Sequence, residues 1–247
     1  MDTSASSIVT ALDEASRKRL VQRGVPRTLD RGEPLYIAGE PGGRIHLVVD
    51  GLLKLSATDP GGRETILGLV VPGEITGELA AIDGGDHPLD AVAISRTAVI
   101  GFDAPAFLDA VTRERRAATE LLITLAARNR WMCTTAFERT TSEVPARLAG
   151  RLLDLADAIG CTRGGSIEMN LPIGQSDLGS LAGMCRESAS RTLQRFRRAG
   201  VVDYRGRKLR ILRPDVLEKV RCAGRAARPS RSEGAEGCRR SRSTAVS

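Results

Sequence analysis

The stretch from Leu171 to Tyr204 places the strongest constraint on how this chain of 247 residues can fold. It contains two short helical patterns on either side of Gly183, and in the second pattern Ala189, Leu193 and Phe196 recur at steps of three and four residues. The opposite face of this second helix carries the arginines Arg186, Arg191, Arg195 and Arg198. Two helices joined by a glycine turn, the second with one apolar and one basic face, are typical of a helix-turn-helix.

The first turns of the second helix carry the residue types that recognise base pairs. In a helix-turn-helix, the second helix enters the major groove with its N-terminal residues nearest the bases. Arginine can bond two acceptors of guanine at once, and a carboxylate can accept from the cytosine amino group. We therefore predict that Arg186, Glu187 and Arg191 contact base edges. A solvated basic helix in another kind of small domain is the alternative.

Other residues of this region are predicted to contact the DNA backbone. Gln175 and Ser176 begin the first helix, where side chains and free amides can bind phosphate. Arg195 continues the basic face. After Gly200, the sequence VVDYRGRKLRIL predicts two strands around a basic turn that contains Arg207, which is typical of a wing that touches the backbone of a neighbouring groove.

The segment resembles the winged helix-turn-helix of the Crp/Fnr family of bacterial transcription regulators. In that family, an Arg-Glu pair at the start of the recognition helix and an Arg one turn later read a short guanine-rich half-site, and Arg186, Glu187 and Arg191 match them one for one. The resemblance implies a half-site similar to TGTGA, repeated about one helical turn away on a two-fold symmetric operator. The implied partners are double-stranded DNA, a second copy of the chain and RNA polymerase.

Charge divides the chain into an acidic front and a basic back. The net charge is −5 over residues 1–115, +7 over 116–220 and +5 over 221–247, which together make the total of +7. This asymmetry is typical of a sensing domain fused to a nucleic-acid-binding domain.

No apolar run approaches the length that spans a bilayer and the N-terminus lacks the basic start of a secretion signal, so we predict a cytoplasmic protein without membrane contact. Residues 221–247 have almost nothing to bury and are predicted to be a disordered basic tail.

The front half predicts an antiparallel β-roll or jelly roll over residues 1–115. Short β-type runs separated by turn residues extend from Thr28 to Phe102. The dipeptide Asp50-Gly51 is a strong hairpin signal, and residues 60–62, PGG, predict another turn. The order of VVDGLLKL, VVPGEITGELA and the strand before Asp103 also resembles the cyclic-nucleotide-type roll of the same family. The predicted fold class is therefore α+β.

The resemblance also implies a nucleotide pocket, from which this chain departs. In family members that bind cyclic AMP, a Gly-Glu-Leu turn binds the phosphate and ribose, and Gly77, Glu78 and Leu79 match that turn. An Arg-Ser or Arg-Thr pair about ten residues later neutralises the phosphate, but Leu89 and Asp90 stand there in this chain. The exchange loses a charge-assisted pair and adds repulsion.

A second departure concerns the contacts to adenine. Met132 and Cys133 fall where cyclic AMP binders usually place Thr-Ser, and neither replaces those hydrogen bonds well. We predict weak or absent cyclic AMP binding and no cofactor, with Glu78 a leftover turn residue. A cyclic-AMP-responsive activator is the alternative, because the alignment across GGDHPL leaves room for a substitute base.

A long helix is predicted from residues 116 to 141. Apolar or small residues alternate at steps of four and three along it, which is a heptad seam: Ala118, Leu122, Leu125, Asn129, Met132 and Ala136. In the family the equivalent helix pairs with its copy, so the resemblance implies a parallel homodimer. A core helix within one subunit is the alternative, and Trp131 and Phe137 lie off the seam and are expected to pack on the roll. Residues 142–220 are the predicted DNA-binding domain, with Ser142 as the N-cap of its first helix.

The five cysteines are odd in number and never at CxxC spacing: Cys133, Cys161, Cys185, Cys222 and Cys238. Cys185 precedes Arg186 at a helix N-terminus, where the thiolate is stabilised and oxidants attack it. We hypothesise that thiol chemistry at Cys185 or Cys133 tunes the regulator, the alternative being that both are packing residues.

Rival classes of protein are less well supported. An enzyme on a cupin-like roll needs clustered metal ligands, and the chain offers only His46 and His87 as imidazoles. A basic scaffold for RNA or other anions would show no preference for base sequence. We therefore predict a transcription regulator and not an enzyme.

Overall fold

The computed structural model describes residues 7–170 and 173–224. The helices are α1 Ser7–Thr10, α2 Glu14–Arg23, α3 Glu78–Asp83, α4 Ala104–Arg113, α5 Arg115–Thr141, α6 Val144–Ile159, α7 Gln175–Leu181, α8 Arg186–Arg198 and α9 Pro214–Ala223. The strands of the front half are β1 Val25–Leu29, β2 Pro34–Tyr36, β3 Arg44–Asp50, β4 Leu53–Thr58, β5 Glu64–Val70, β6 Ile75–Thr76, β7 Asp90–Ala93 and β8 Thr97–Asp103. Those of the back half are β9 Cys161–Arg163, β10 Ser166–Asn170, β11 Val202–Arg205 and β12 Lys208–Ile211.

The front half is an antiparallel roll of two four-stranded sheets, in the orders β1-β8-β3-β6 and β2-β7-β4-β5. Leu29, Val48, Leu53 and Val99 pack between the sheets. A second apolar cluster lies between the first sheet and the helices α1, α2 and α4, where the Phe102 and Phe107 ring centroids are 5.8 Å apart. The predicted α+β fold with a β-roll is confirmed.

The predicted hairpin at Asp50-Gly51 is wrong, although both strands are present. Strand β3 pairs with β8 and β6, whereas β4 pairs with β5 and β7, so the chain crosses from one sheet to the other at this turn. Gly51 has φ +83°, and a Cβ there would lie 2.4 Å from the carbonyl oxygen of Arg96. The turn therefore packs against the segment before β8 and directs β4 away from β3. The turn at 60–62 does close a hairpin, between β4 and β5.

Helix α5 joins the two halves and is buried near its start, through Ala117 and Leu121, and near its end, through Thr135 and Glu138. The expectation that Trp131 packs on the roll is wrong, because its indole N–H donates to Asp154 of α6 at 3.2 Å. Phe137, expected to pack there too, is 52% exposed. Ser142 ends α5 and does not cap α6, whose N-cap residue makes no side-chain bond.

A buried arginine fixes the junction of α5 and α6. Arg151 donates to the Thr135 hydroxyl at 2.9 Å and to the Glu138 carboxylate at 2.6 Å, both on α5. It also pairs with Asp154 at 2.9 Å and lies 5.1 Å from the centroid of the Trp131 ring. A buried charge is tolerated when several well-placed partners satisfy it, so these contacts define the angle between the helices.

The back half packs α6 and α8 against a sheet of order β11-β12-β10-β9, and α7 and α9 pack on these helices. Helix α9 continues to Ala223, so residues 221–223, which were predicted to belong to the disordered tail, are helical. The reason is packing: Arg221 lies along α6 at Gly150 and donates to Glu218 at 2.6 Å. Gly224 is the C-cap residue of α9, and residues 225–247, with Cys238, lie outside the described residues. Within residues 7–170 and 173–224, no helix has the length and apolar character needed to cross a membrane.

Two glycines with nearly the same backbone conformation test the sheet crossover. Gly62 has φ +79° with no atom within 4 Å of an added Cβ, so Gly62→Ala should cost only the left-handed strain, about 1 to 2 kcal/mol. Gly51→Ala adds the clash with Arg96 and should cost at least about 1 kcal/mol more. Urea unfolding of both variants measures the difference. Equal losses would contradict the close approach of the turn to residues 96–97.

Candidate nucleic-acid interface

Helices α7 and α8 form the predicted helix-turn-helix, held together by a close apolar contact. Ala189, Leu193 and Phe196 of α8 are buried in one cluster with Leu178 of α7. The chain turns between the helices at Gly183, which has φ +66° and so suits glycine. The sequence pattern therefore produced the expected packing, with the second helix on the outside.

The outer face of α8 presents the residues predicted to contact base edges. Arg186, Glu187 and Arg191 are exposed in its first turns, and Arg195 and Arg198 are exposed further along. The pKa of Glu187 lies below its ordinary value, because its own backbone amide and the Cys185 thiol donate to the carboxylate and because Arg186 and Arg191 are close. Glu187 is thus held ionised and can act only as an acceptor, as recognition of a cytosine amino group requires.

The start of α7 differs from the simple phosphate site expected from the sequence. Ser176 is exposed and Gln175 is half-buried, as a contact to the DNA backbone requires. Asp177, however, lies in the same first turn, and its carboxylate accepts from the Gly174 amide at 3.1 Å. A carboxylate at a helix N-terminus already balances the helix dipole and opposes a second anion. Asp177 was not among the predicted residues, although its position three residues after the N-cap was a signal.

The predicted wing is the hairpin of β11 and β12. Gly206 turns the chain at φ +59°, and Arg207 beside it is exposed. Other charges of the wing take part in ion pairs, such as Arg210 with Glu168 at 3.0 Å. The turn therefore presents positive charge near α8, where it suits a phosphate backbone.

Among the residues predicted to line a nucleotide pocket, Gly77 and Glu78 are buried and the others are half-buried or exposed. Glu78 is 4% exposed and accepts from Arg128 of α5 at 2.5 Å. Arg128 also donates to the carbonyl oxygen of Ile75. Gly77 precedes α3 with φ +84°. Glu78 is thus the carboxylate of a buried ion pair and more than a leftover turn residue. Arg128 was not among the predicted residues, and its only signal in the sequence was its position one turn before Met132.

The other predicted pocket residues do not gather around Glu78. Leu79 is exposed, Leu89 is half-buried, and the Asp90 carboxylate accepts from the Ala38 amide at 2.8 Å. Met132 and Cys133 are exposed on α5.

A cluster of one tyrosine and two histidines lies beside Glu78: Tyr36, His46 and His87. The Tyr36 hydroxyl bonds to that of Thr76, and the Tyr36 ring stacks on His87 at 3.8 Å. Burial raises the pKa of Tyr36 to about 12 and lowers the pKa of His46 to about 4. At neutral pH both groups are therefore uncharged, and Arg128 supplies the positive charge next to Glu78.

Four cysteines lie in the part of the chain that the structure describes, and all four are exposed free thiols. Cys185 is the N-cap residue of α8, with Sγ 3.2 Å from the Ser188 hydroxyl. Cys133 Sγ lies 3.7 Å from the Asn129 side-chain oxygen. Among the described residues, no three His, Cys, Asp or Glu side chains are placed to hold one metal ion.

The predicted seam of α5 is half-buried at two positions and exposed at the other four. Ala118 and Leu125 pack against the helical cluster of the roll. Leu122 is 66% exposed and Met132 is 53% exposed, and Asn129 and Ala136 between and beyond them are exposed as well. A long helix thus presents an apolar face that the described chain does not cover.

Comparison with known proteins identifies both halves. Residues 26–114 match the model of a cyclic nucleotide-binding domain, and residues 146–220 match that of a Crp-like helix-turn-helix domain. A CRP-like cAMP-activated global transcriptional regulator of Mycobacterium tuberculosis is 26% identical, over 83% of this chain and 92% of that protein. The transcriptional activator protein anr of Pseudomonas aeruginosa is 28% identical, over 87% of this chain and 86% of that protein.

Solved structures agree on the fold. FixK2 from Bradyrhizobium japonicum superposes with a TM-score of 0.73 at 23% identity, over 83% of this chain and 98% of that one. A CRP-family transcriptional regulator from Thermus thermophilus superposes with a TM-score of 0.67 at 25% identity, over 82% of this chain and all of that one.

The pairing of Arg128 with Glu78 predicts an unequal effect of two neighbouring arginines. Arg128→Ala should cost about 3 kcal/mol of stability, because it leaves the buried Glu78 carboxylate without this counter-charge. Arg130→Ala, which removes an exposed arginine two residues along α5, should stay within about 0.5 kcal/mol of the wild type. Urea unfolding compares them, and similar losses would argue against the ion pair.

Proposed function

The chain belongs to the Crp/Fnr family of DNA-binding transcription regulators, and on this premise we propose that it acts as a homodimer on a palindromic operator. The relatives are transcription regulators and not enzymes. The observation that carries the proposal is the exposed outer face of α8, where Arg186, Glu187 and Arg191 stand together in the first turns. These three side chains offer the donors and the acceptor that guanine and cytosine require.

The exposed face of α5 supports the homodimer. Leu122 and Met132 are large apolar side chains of the seam that remain more than half exposed on one helix of 27 residues. A second copy of α5 would cover such a face in a parallel pair, and Asn129 at a seam position would fix the register. The two-fold axis would then place the two copies of α8 about one helical turn of DNA apart. RNA polymerase stays a predicted partner of the complex.

The signal that controls the protein is proposed to differ from cyclic AMP. Arg128 already pairs with Glu78, and by the family resemblance Leu89 replaces the guanidinium that a phosphate would need and Asp90 replaces the hydroxyl. A carboxylate at that position repels a phosphate. The alternative is a cyclic-AMP-responsive activator, which the name of the Mycobacterium tuberculosis relative favours.

Thiol chemistry at Cys185 is the proposed tuning device, with Cys133 as a second candidate. The Cys185 thiol is exposed, stands at the N-cap position of α8, lies 3.2 Å from the Ser188 hydroxyl and helps to lower the pKa of Glu187. Oxidation at this position would change the charge and hydrogen bonding next to a side chain proposed to contact a base. The effect on DNA binding would be local and would require no movement of the domains.

Base recognition by α8 predicts that two arginines of the same helix behave differently. Arg186→Ala should lose about 1 to 3 kcal/mol of binding free energy on the operator selected from random DNA, and little on unrelated DNA. Arg198→Ala, at the other end of α8, should lose about the same on both, because a contact to phosphate carries no sequence information. Fluorescence anisotropy titrations measure all four affinities. Equal losses for Arg186→Ala on the two DNAs would refute base recognition by this residue.

The proposed tuning by Cys185 is tested by titrating operator DNA with reduced and with oxidised protein. Cys185→Ser should bind like the reduced wild type and should lose the response to oxidant, because a serine hydroxyl is similar in size to the thiol but is not oxidised. Cys161→Ser, at another exposed cysteine, should keep the response. An oxidant response in Cys185→Ser would show that Cys185 is not the site of this tuning.

Adding cyclic AMP should leave the affinity of the wild-type protein for operator DNA unchanged. A gain in affinity with cyclic AMP would favour the alternative, a cyclic-AMP-responsive activator.

A further inference from the structure

The helix-turn-helix contacts the roll directly, and not only through α5. Helix α7 packs against β5, which is the edge strand of the sheet β2-β7-β4-β5. Ile66 of β5 is 1% exposed and lies in the same apolar cluster as Leu178 and Leu181 of α7. The core of the DNA-binding domain therefore includes a residue of the sensor domain.

A single hydroxyl makes the polar part of this contact. The Ser180 hydroxyl of α7 accepts from the Ile66 amide at 2.8 Å and donates to the Glu64 carbonyl oxygen at 3.1 Å. An edge strand leaves such outward-facing groups for a further strand to bond. Ser180 bonds two of them, as one residue of a neighbouring strand would.

Both sides of this contact are held in place. On the roll, the Glu64 carboxylate accepts from Lys54 at 2.6 Å and from Ser56 at 2.7 Å, which ties this part of β5 to β4. On the other side, Arg147 of α6 donates to the carbonyl oxygens of Ala182 and Gly183, at 3.1 and 3.3 Å. A displacement of β5 would therefore be transmitted to α7 and would not be absorbed by a loose turn.

Arg139 of α5 lies between the two domains at the same place. It donates to the Ile66 carbonyl oxygen at 3.4 Å, and its Cγ lies 3.0 Å from where a Cβ of Gly183 would be. The strand β5, the end of α5 and the turn before α8 therefore meet at one point. The contact leaves Arg186, Glu187 and Arg191 exposed, so it is compatible with DNA binding.

We propose that the outward edge of β5 is a second attachment site for the DNA-binding domain, and that Ser180 is the positioning residue that couples the roll to α8. This inference rests on the proposed function of α8 in operator recognition. A change of the roll that moves β5 would alter the position of α8 relative to α5. In the dimer, that position determines which spacing of half-sites the two recognition helices can span together.

The first test measures whether the contact exists in solution. In wild-type protein, the Ile66 amide should be protected from hydrogen exchange, although it lies on the outer side of an edge strand. Ser180→Ala should remove that protection. The Thr65 amide should stay protected in both proteins, because successive amides of a strand point to opposite sides and Thr65 pairs with Ala57 of β4. Fast exchange of Ile66 in the wild type would overturn the proposal without any variant.

The second test measures positioning on DNA. The operator selected by the wild-type protein is compared with versions that carry one base pair more or fewer between the half-sites. Ser180→Ala should bind the selected operator roughly threefold to tenfold more weakly, in keeping with the loss of a hydroxyl that makes two hydrogen bonds. It should also discriminate less between the spacings. Thr112→Ala is the matched control, since this exposed hydroxyl bonds only within α4, and it should change neither quantity.

The outcomes separate this inference from the function on which it rests. If the wild type shows no preference for any DNA sequence, the proposed function fails. If the wild type selects an operator but Ser180→Ala discriminates between spacings as strongly as the wild type does, only the coupling through Ser180 fails. Reduced discrimination at an unchanged unfolding midpoint would support the coupling, because a general loss of stability would not change the preferred spacing selectively.

Discussion

The placement of the DNA-binding domain depends on one buried guanidinium. Arg151 of α6 reaches Thr135 and Glu138 of α5 as well as Asp154, while the Trp131 ring lies against it. Removing a charge from water costs several kcal/mol, and only a nearly complete set of partners offsets that cost. An arrangement that must satisfy so many partners at once permits little variation in the angle between the helices. The exposed apolar face of α5 and the recognition helix therefore keep a defined relation.

A second guanidinium has a similar role in the roll. Arg128 extends from α5 to Glu78, the first residue of α3. This ion pair holds α5 against the roll by a contact within one subunit. Together with the contact of Ser180 on β5, this ion pair joins the roll to the rest of the molecule through both α5 and α7.

Local patterns in the sequence predicted the elements well, and pairing between distant elements poorly. The apolar period of α8 and the glycine at 183 predicted a helix-turn-helix because both act within a few residues of chain. Asp50-Gly51 also forms a turn, as predicted. The packing of the two sheets determines which strands pair with β4, and the residues of the turn do not. Trp131 was identified as lying off the seam, yet its partner Asp154 follows 23 residues later on another helix.

By itself, the amino-acid sequence determined that the chain forms an antiparallel roll, a long helix and a winged helix-turn-helix, because periodicity and turn chemistry act over short stretches. It also determined which arginines face outward on α8. Only the tertiary structure decided three pairings. Arg128 neutralises Glu78, the Asp90 carboxylate accepts a hydrogen bond from the Ala38 amide, and the Ser180 hydroxyl accepts one from the Ile66 amide at the edge of β5. The physical reason is that a buried charge or an unpaired peptide group takes whichever partner the fold brings within bonding distance, and that partner can come from any part of the chain.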